Sequence, residues 1–234
     1  MGKITAIVLA GGTGKRMNSA VPKQYLPLAG KPVLYYSLAA FAESEVTDII
    51  LVTGAGEIAY CKQEIVEKYN IPKVRAIVAG GRERYDSVYQ GLVAAEGADY
   101  VLIHDGARPL VTQDIIARAI EGAKTYQACV IGMPVKDTIK IADARGYADK
   151  TPDRSMVWQV QTPQAFSYTL VKDAYEKVLA GNEAGITDDA MVVERACGYP
   201  VKLIKGSYQN IKITTPEDLP VAEVYLRMPE NREE

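Results

Sequence analysis

Short β-branched runs alternate along this chain with stretches of helical apolar spacing, and few folds accommodate that rhythm. The runs read as strands at Ile4–Leu9, Asp48–Thr53, Val74–Val78, Tyr100–His104, Ala128–Met133 and Val201–Ile204. Between them, Leu34, Leu38 and Phe41 recur at helical spacing, as do Tyr85, Val88, Tyr89 and Leu92. Apolar strands interleaved with amphipathic helices imply an α/β fold, a mostly parallel twisted sheet covered on both faces. The 234 residues show no repeat, low-complexity tract or linker rich in Gly, Ser or Pro. Residues 1–234 therefore read as a single domain, long enough to bury roughly 70% of its unfolded surface without a disulfide or metal staple.

One stretch breaks the rhythm. From Pro134 to Val157 a short alternating run, a Gly-centred turn and a polar return read as a β-hairpin arm. A lone hairpin is marginal in water, so this arm must lie on the main domain or pack on another chain. Near the end, Thr215-Pro216-Glu217-Asp218 has the pattern of an N-cap opening a final helix.

Charge and composition remove several classes. With 48% hydrophobic and 24% charged residues the chain is globular, and its formal charge of −2 argues against a general nucleic-acid binder. Cys61, Cys129 and Cys197 lie far apart with no CxxC pair, so they read as buried, inert thiols. No apolar run approaches the ~18 residues of a membrane span and the first residues do not resemble a signal peptide, so the expectation is a cytoplasmic protein without a membrane partner.

Three loops carry candidate chemistry. Leu9-Ala10-Gly11-Gly12-Thr13-Gly14-Lys15-Arg16-Met17 follows the first strand, and Pro22-Lys23-Gln24 follows soon after. Glycines let backbone N–H groups approach phosphate oxygens, and Lys15, Arg16 and Lys23 add cations. A Walker A loop is excluded because Leu9 and Arg16 stand where Gly and Ser/Thr are required, and the dinucleotide fingerprint lacks its third glycine at Met17. Gly80-Gly81-Arg82-Glu83-Arg84-Tyr85-Asp86-Ser87 joins a strand to a helix, with Arg84 and Ser87 on the face opposite Tyr85 and Tyr89. That segment suits either a close ligand approach or an ordinary solvated helix start. His104-Asp105-Gly106-Ala107-Arg108-Pro109 puts an acid at the carboxyl end of a strand, where α/β enzymes hold a metal, although Asp105 capping the next helix is the plainer alternative. His104, the single histidine, reads as a structural imidazole. A further group, Lys136, Thr138, Lys140, Arg154, Thr162-Pro163-Gln164 and Asn210–Thr214, would form a second cationic cluster suited to a phosphorylated acceptor. There is no GxSxG elbow, and one histidine cannot serve most Ser/His or Cys/His schemes. Nucleotidyl transfer to a phosphate monoester needs neither, because the acceptor brings its own charge.

At these residues the chain resembles the 2-C-methyl-D-erythritol 4-phosphate cytidylyltransferase family. LAGGTGKRM, PKQYL, GGRERYDSV, HDGARP, PVKDTIK, QTPQAF, ITDDA and NIKITTPEDL occur in the family's order across nearly the whole chain. The resemblance implies a Rossmann-like nucleotidyltransferase fold and a homodimer using CTP, a sugar-alcohol phosphate and Mg²⁺ or another divalent cation. It implies that Arg16 and Lys23 stabilise the α-phosphate in the transition state and that Ala10, Gly11, Gly12, Thr13 and Gly14 cradle the triphosphate. Gly80, Gly81 and Ser87 would read the cytosine, and Asp105 would serve the metal with Arg108 nearby. The arm would exchange between subunits, bringing Thr138 and Arg154 to the partner's site, where Arg154 and Lys212 hold the acceptor; Thr162 is carried over as acceptor-binding. One family pattern has Asp at the place of Arg82, so that side chain receives no base-reading role. Ribitol-5-phosphate cytidylyltransferase is the alternative, sharing the glycine-rich loop, QTPQ and NIKITTP-like segments, but the PVKDTIK run favours the methylerythritol group. A non-catalytic nucleotide-binding module would need a central cation or acid to be missing, and none is. An NAD oxidoreductase is disfavoured by the broken fingerprint.

Overall fold

The computed structural model describes residues 2–12, 17, 19, 21–181 and 185–228. In chain order, β1 (Ile4–Leu9) leads through the glycine-rich loop to a two-stranded ladder, β2 (Pro27–Leu28) with β3 (Lys31–Pro32). Then come α1 (Val33–Glu43), β4 (Asp48–Thr53) and α2 (Ile58–Tyr60), which continues as a π-helical stretch over Cys61–Glu67. β5 (Val74–Ala79), α3 (Arg84–Ala94), β6 (Tyr100–Asp105), α4 (Gln113–Tyr126) and β7 (Ala128–Pro134) follow. The remainder is β8 (Ile141–Ala142), β9 (Ala148–Lys150), β10 (Trp158–Ser167), α5 (Tyr168–Gly181), α6 (Asp189–Cys197), β11 (Lys202–Lys205) and α7 (Asp218–Arg227).

Seven strands form one sheet in the order β5-β4-β1-β6-β10-β7-β11. All neighbouring pairs are parallel except those of β10, which runs antiparallel to β6 and β7. The pleat sends alternate side chains to opposite faces. In β1, Ala6 and Val8 join Leu34, Leu38, Phe41 and Ile116 in one core, while Ile7 joins Val88, Leu92, Phe166 and Tyr175 in the other. The apolar positions read as helical in α1 and α3 thus face the sheet from opposite sides.

Five of the six strands expected from the sequence lie where their apolar runs put them, three of them extended by one residue, and the sixth is displaced by one position to Lys202–Lys205. β10 is the correction. Its Gln159, Gln161, Thr162, Pro163 and Gln164 do not look like a central strand, because proline cannot donate to a ladder. The chain accommodates them through a register shift against β7 between Val160 and Gln164. The sheet is therefore mixed. The last helix begins later than expected, at Asp218, whose carboxylate accepts the N–H groups of Thr214 and Thr215 at 2.7 and 2.8 Å. Cys61 and Cys129 are buried, and burial raises both thiols, Cys129 to about 12. Cys197 differs from expectation in being only half-buried. No helix among the described residues is long and apolar enough to cross a membrane.

The arm is a β8–β9 hairpin with Gly146 at φ 85° in its turn, where Asp143 accepts the N–H groups of Arg145 and Tyr147. Tyr147 and Met156 stand 70% and 80% exposed on it, so it lacks a core of its own.

Candidate active site

Strand order reverses beside β1: the chain fills β4 and β5 on one side and then crosses to β6 on the other. A crevice opens at the carboxyl ends of the strands flanking such a switch point. Here it is a cavity of about 310 Å³ whose walls include Gly11, Lys23, Gly81, Arg84, Asp105 and Lys212.

The glycine-rich loop leaves β1 pinned at its root. Ala10 N–H donates to the Val52 carbonyl at 2.6 Å, and the Ala10 carbonyl accepts the buried Gln24 amide at 2.5 Å. Gly11 and Gly12 are exposed at the cavity, while Thr13, Gly14, Lys15 and Arg16 lie outside the described residues. Lys23 sits in a 3-10 turn, Lys23–Tyr25, and its ammonium donates to the Ile213 carbonyl at 2.8 Å. Tyr25 fixes that turn to the end of β4. Its hydroxyl donates to Glu57 at 2.9 Å and lies 3.0 Å from the Thr53 hydroxyl and 3.1 Å from the Cys61 sulfur.

The second wall is the β5–α3 loop. A Cβ on Gly80 would lie 2.6 Å from the Ser87 hydroxyl, and one on Gly81 would lie 2.2 Å from the Asp86 Cβ, so only glycine fits this approach. The Ser87 hydroxyl accepts Gly81 N–H and donates to the Glu83 carbonyl, both at 3.1 Å. Arg84 and Ser87 both line the cavity.

Asp105 closes the floor at the end of β6. Lys212 donates to its Oδ2 at 2.7 Å, Arg108 Nε stands 3.9 Å from Oδ2, and Arg84 Nε stands 3.6 Å from Oδ1. Burial alone would raise this carboxyl; the three cations outweigh it and hold Asp105 far below the usual range. Beneath it runs one chain of hydrogen bonds. Asp105 N–H donates to the Thr162 hydroxyl (3.1 Å), that hydroxyl lies 3.0 Å from His104 Nδ1, and His104 Nε2 lies 3.2 Å from the Arg108 carbonyl. A neutral imidazole protonated on Nε2 satisfies every link. Burial lowers His104 to about 4, consistent with that form and with its reading as structural.

Thr162, expected to bind the acceptor, is 3% exposed, and its hydroxyl is engaged between the Asp105 N–H and His104, where it supports Asp105 from below. Arg108 and Lys212 are drawn to Asp105 through Asn210 and its sequel: Arg108 Nη1 donates to the Asn210 carbonyl at 2.7 Å, and the Asn210 amide donates to the Thr162 carbonyl at 2.9 Å. Thr138 and Arg154 stand apart, exposed on the arm, outside the cavity lining; Arg154 donates to the Lys136 carbonyl at 3.0 Å. The arm's root is held by Tyr208, which donates to the Pro134 carbonyl and stacks under the Lys136 ammonium at 3.6 Å.

Sequence spacing gives no role to two features: the Gln24 amide that braces the Ala10 carbonyl, and the Arg84–Asp189 ion pair, which joins GGRERYDSV to ITDDA, segments 105 residues apart that no local spacing links. Among the described residues no group of three or more His, Cys, Asp or Glu gathers to bind a metal. The donor set still fits Mg²⁺, which takes one or two carboxylates and completes its shell with water and phosphate.

A cationic crevice of this kind at the switch point of an α/β sheet suits phosphorylated ligands, and the chain's relatives make its class that of a nucleotidyltransferase. A family model described as 2-C-methyl-D-erythritol 4-phosphate cytidylyltransferase matches residues 4–228. Relatives of that name from Lachnoclostridium phytofermentans and Caldanaerobacter subterraneus are 53% and 50% identical, covering 97% and 96% of this chain and 97% and 99% of theirs. The crystal structure of 4-diphosphocytidyl-2C-methyl-D-erythritol synthase from Anaerococcus prevotii superposes with a TM-score of 0.85 at 36% identity, covering 97% of each chain. The Francisella tularensis 2-C-methyl-D-erythritol 4-phosphate cytidylyltransferase structure gives 0.79 at 29% identity over 95% of this chain and 99% of its own. The chain belongs to the 2-C-methyl-D-erythritol 4-phosphate cytidylyltransferase family. It is a cytidylyltransferase of the non-mevalonate isoprenoid pathway, and the ribitol phosphate alternative is not favoured.

Proposed function

We propose that the crevice between β1 and β6 transfers CMP from CTP to 2-C-methyl-D-erythritol 4-phosphate, giving 4-diphosphocytidyl-2-C-methyl-D-erythritol and pyrophosphate. The observation that supports this most is the setting of Asp105: one ionised carboxylate among Arg84, Arg108 and Lys212, with Lys23 on the same wall. Such a site suits two phosphorylated reactants meeting in one place. A phosphate oxygen of the acceptor attacks the α-phosphorus of CTP; the bond from that phosphorus to the bridging oxygen breaks, and pyrophosphate leaves with the electron pair. With a second ionisation near ~6 the acceptor is largely dianionic at neutral pH, so no side chain need take a proton. Catalysis then rests on positioning and on preorganised positive charge.

In this reading Gly11 and Gly12, with Thr13 and Gly14, offer backbone N–H groups to the triphosphate, Ala10 anchors that cradle to β4 through its own N–H, and Gly80, Gly81 and Ser87 receive the cytosine. Lys23, with Arg16, meets the charge that grows on the α-phosphate. Asp105, with Arg108 beside it, is the residue that would hold Mg²⁺ or another divalent cation, which when bound supplies positive charge to the triphosphate. Lys212 leaves Oδ2 of Asp105 for the acceptor phosphate, joined by Arg154 and Thr138 from the arm of a second copy. The chain works as a single domain, 1–234, in a cytoplasmic homodimer with exchanged arms, without nucleic acid or membrane. A pyrophosphate-release assay with Mg²⁺ tests the reaction. Turnover is expected with CTP and methylerythritol phosphate and not with UTP, ATP or ribitol 5-phosphate; preference for ribitol 5-phosphate, or no turnover, would overturn it.

A further inference from the structure

Arg84 faces two carboxylates, and they hold it differently. Its Nη1 and Nη2 form a fork on Asp189 at 2.7 and 2.8 Å, leaving Nε 3.6 Å from Asp105 Oδ1, longer than a hydrogen bond. Asp189 opens α6 and is 0% exposed, so it meets no solvent and no ligand. Its orientation is fixed on every side. The Tyr175 hydroxyl donates to Oδ1 at 2.5 Å, and the backbone N–H groups of Asp189 and Ala190 donate to Gln164 Oε1 at 3.0 and 2.9 Å. The other close cation at Asp105, Lys212, is a point charge on a flexible stem and can follow a phosphate; a forked guanidinium cannot.

We propose that Asp189, oriented by Tyr175, is a positioning residue that holds Arg84 back from Asp105 and so keeps that carboxylate open to a divalent cation. The inference rests on the metal role given to Asp105 above. Without the Asp189 charge, the guanidinium is drawn across the remaining gap and pairs with Asp105, where it competes with the cation. A bridge that merely tied α6 to α3 would affect stability alone.

The measurement is calorimetric titration of CTP with and without Mg²⁺, in the absence of acceptor; the ratio of the two affinities is the gain that the metal brings. Asp189→Asn should reduce that gain severalfold, because the guanidinium, already 3.6 Å from Asp105, would close to a direct charge-assisted hydrogen bond with it. Arg84→Gln combined with Asp189→Asn should restore it, because the competing cation is gone. Asp105→Asn serves as the reference. If it leaves the gain intact, the metal reading of Asp105 fails and this inference with it. If it removes the gain while Asp189→Asn lowers only thermal stability, the positioning role alone is overturned. Should Asp189→Asn fail to fold, Tyr175→Phe carries the test: it frees the Asp189 carboxylate to rotate, so a smaller loss of gain supports the role and an unchanged gain overturns it.

Discussion

Lys23 lies on the cavity wall with its ammonium 2.8 Å from the Ile213 carbonyl, beside Lys212 in the chain. In the proposed reading Lys23 serves charge that develops during transfer more than charge already present on CTP. Lys23→Ala should lower kcat about 10²–10³-fold with little change in the KM for CTP; an unchanged kcat with a raised KM would move Lys23 to ground-state binding. His104 permits an unusually clean pH experiment, being the only histidine. Burial lowers it to about 4, whereas an unfolded imidazole titrates near ~6.5. Between those values the unfolded chain binds a proton that the folded chain refuses, so stability falls as pH drops through that window, by about 3 kcal/mol in all. An NMR titration should find the folded imidazole neutral down to about pH 4. The pH profile of turnover in His104→Asn should keep its shape; loss of an ionisation near ~6.5 would show that the imidazole acts as a base after all.

The PKQY turn is an element whose purpose lies in what it braces. The Gln24 amide is the partner of the Ala10 carbonyl at the root of the glycine-rich loop, and both are buried. Gln24→Leu strands that carbonyl, which costs about 1–3 kcal/mol, and calorimetry should show Tm lowered by roughly 2–4 °C per kcal/mol for a chain of this size. An unchanged Tm would mean that the loop root needs no brace. The elements legible in the sequence are those with an intrinsic period. The apolar runs of β1, β4, β5, β6 and β7 and the Leu34–Leu38–Phe41 stripe announce themselves, because burial on a sheet face demands that spacing. β10 was illegible because its polar residues are satisfied by partners distant in sequence: Gln161 donates to the Ser207 carbonyl and Gln164 to Asp188. The site divides the same way. Gly11, Gly80, Gly81, Lys23 and Asp105 were visible because loops at strand ends carry recognisable residue types. The Arg84–Asp189 fork and the support that Thr162 gives Asp105 depend on the sheet bringing α3, α6 and β10 together.

Across the whole molecule, a chain with formal charge −2 concentrates positive charge at one edge of its sheet. Lys23, Arg84, Arg108 and Lys212 gather there around Asp105, with Asp189 beneath. Low-dielectric walls focus such a field on phosphorylated ligands. Thr138 and Arg154 are nevertheless outside that cavity, on an arm whose Ile141, Tyr147 and Met156 are left exposed. In the proposed homodimer one chain's crevice is completed by another chain's arm. An isologous dimer would place one arm at each of two equivalent sites. Complementation tests this directly: Lys23→Ala and Arg154→Ala, each nearly inactive, are mixed under conditions of subunit exchange verified by differential tags. Random pairing makes half of the dimers mixed, and in each of these one site carries both defects and the other neither, so activity should recover toward about a quarter of wild type. Activity that stays at the level of the single variants after verified exchange would place Arg154 in its own subunit's site and contradict the account.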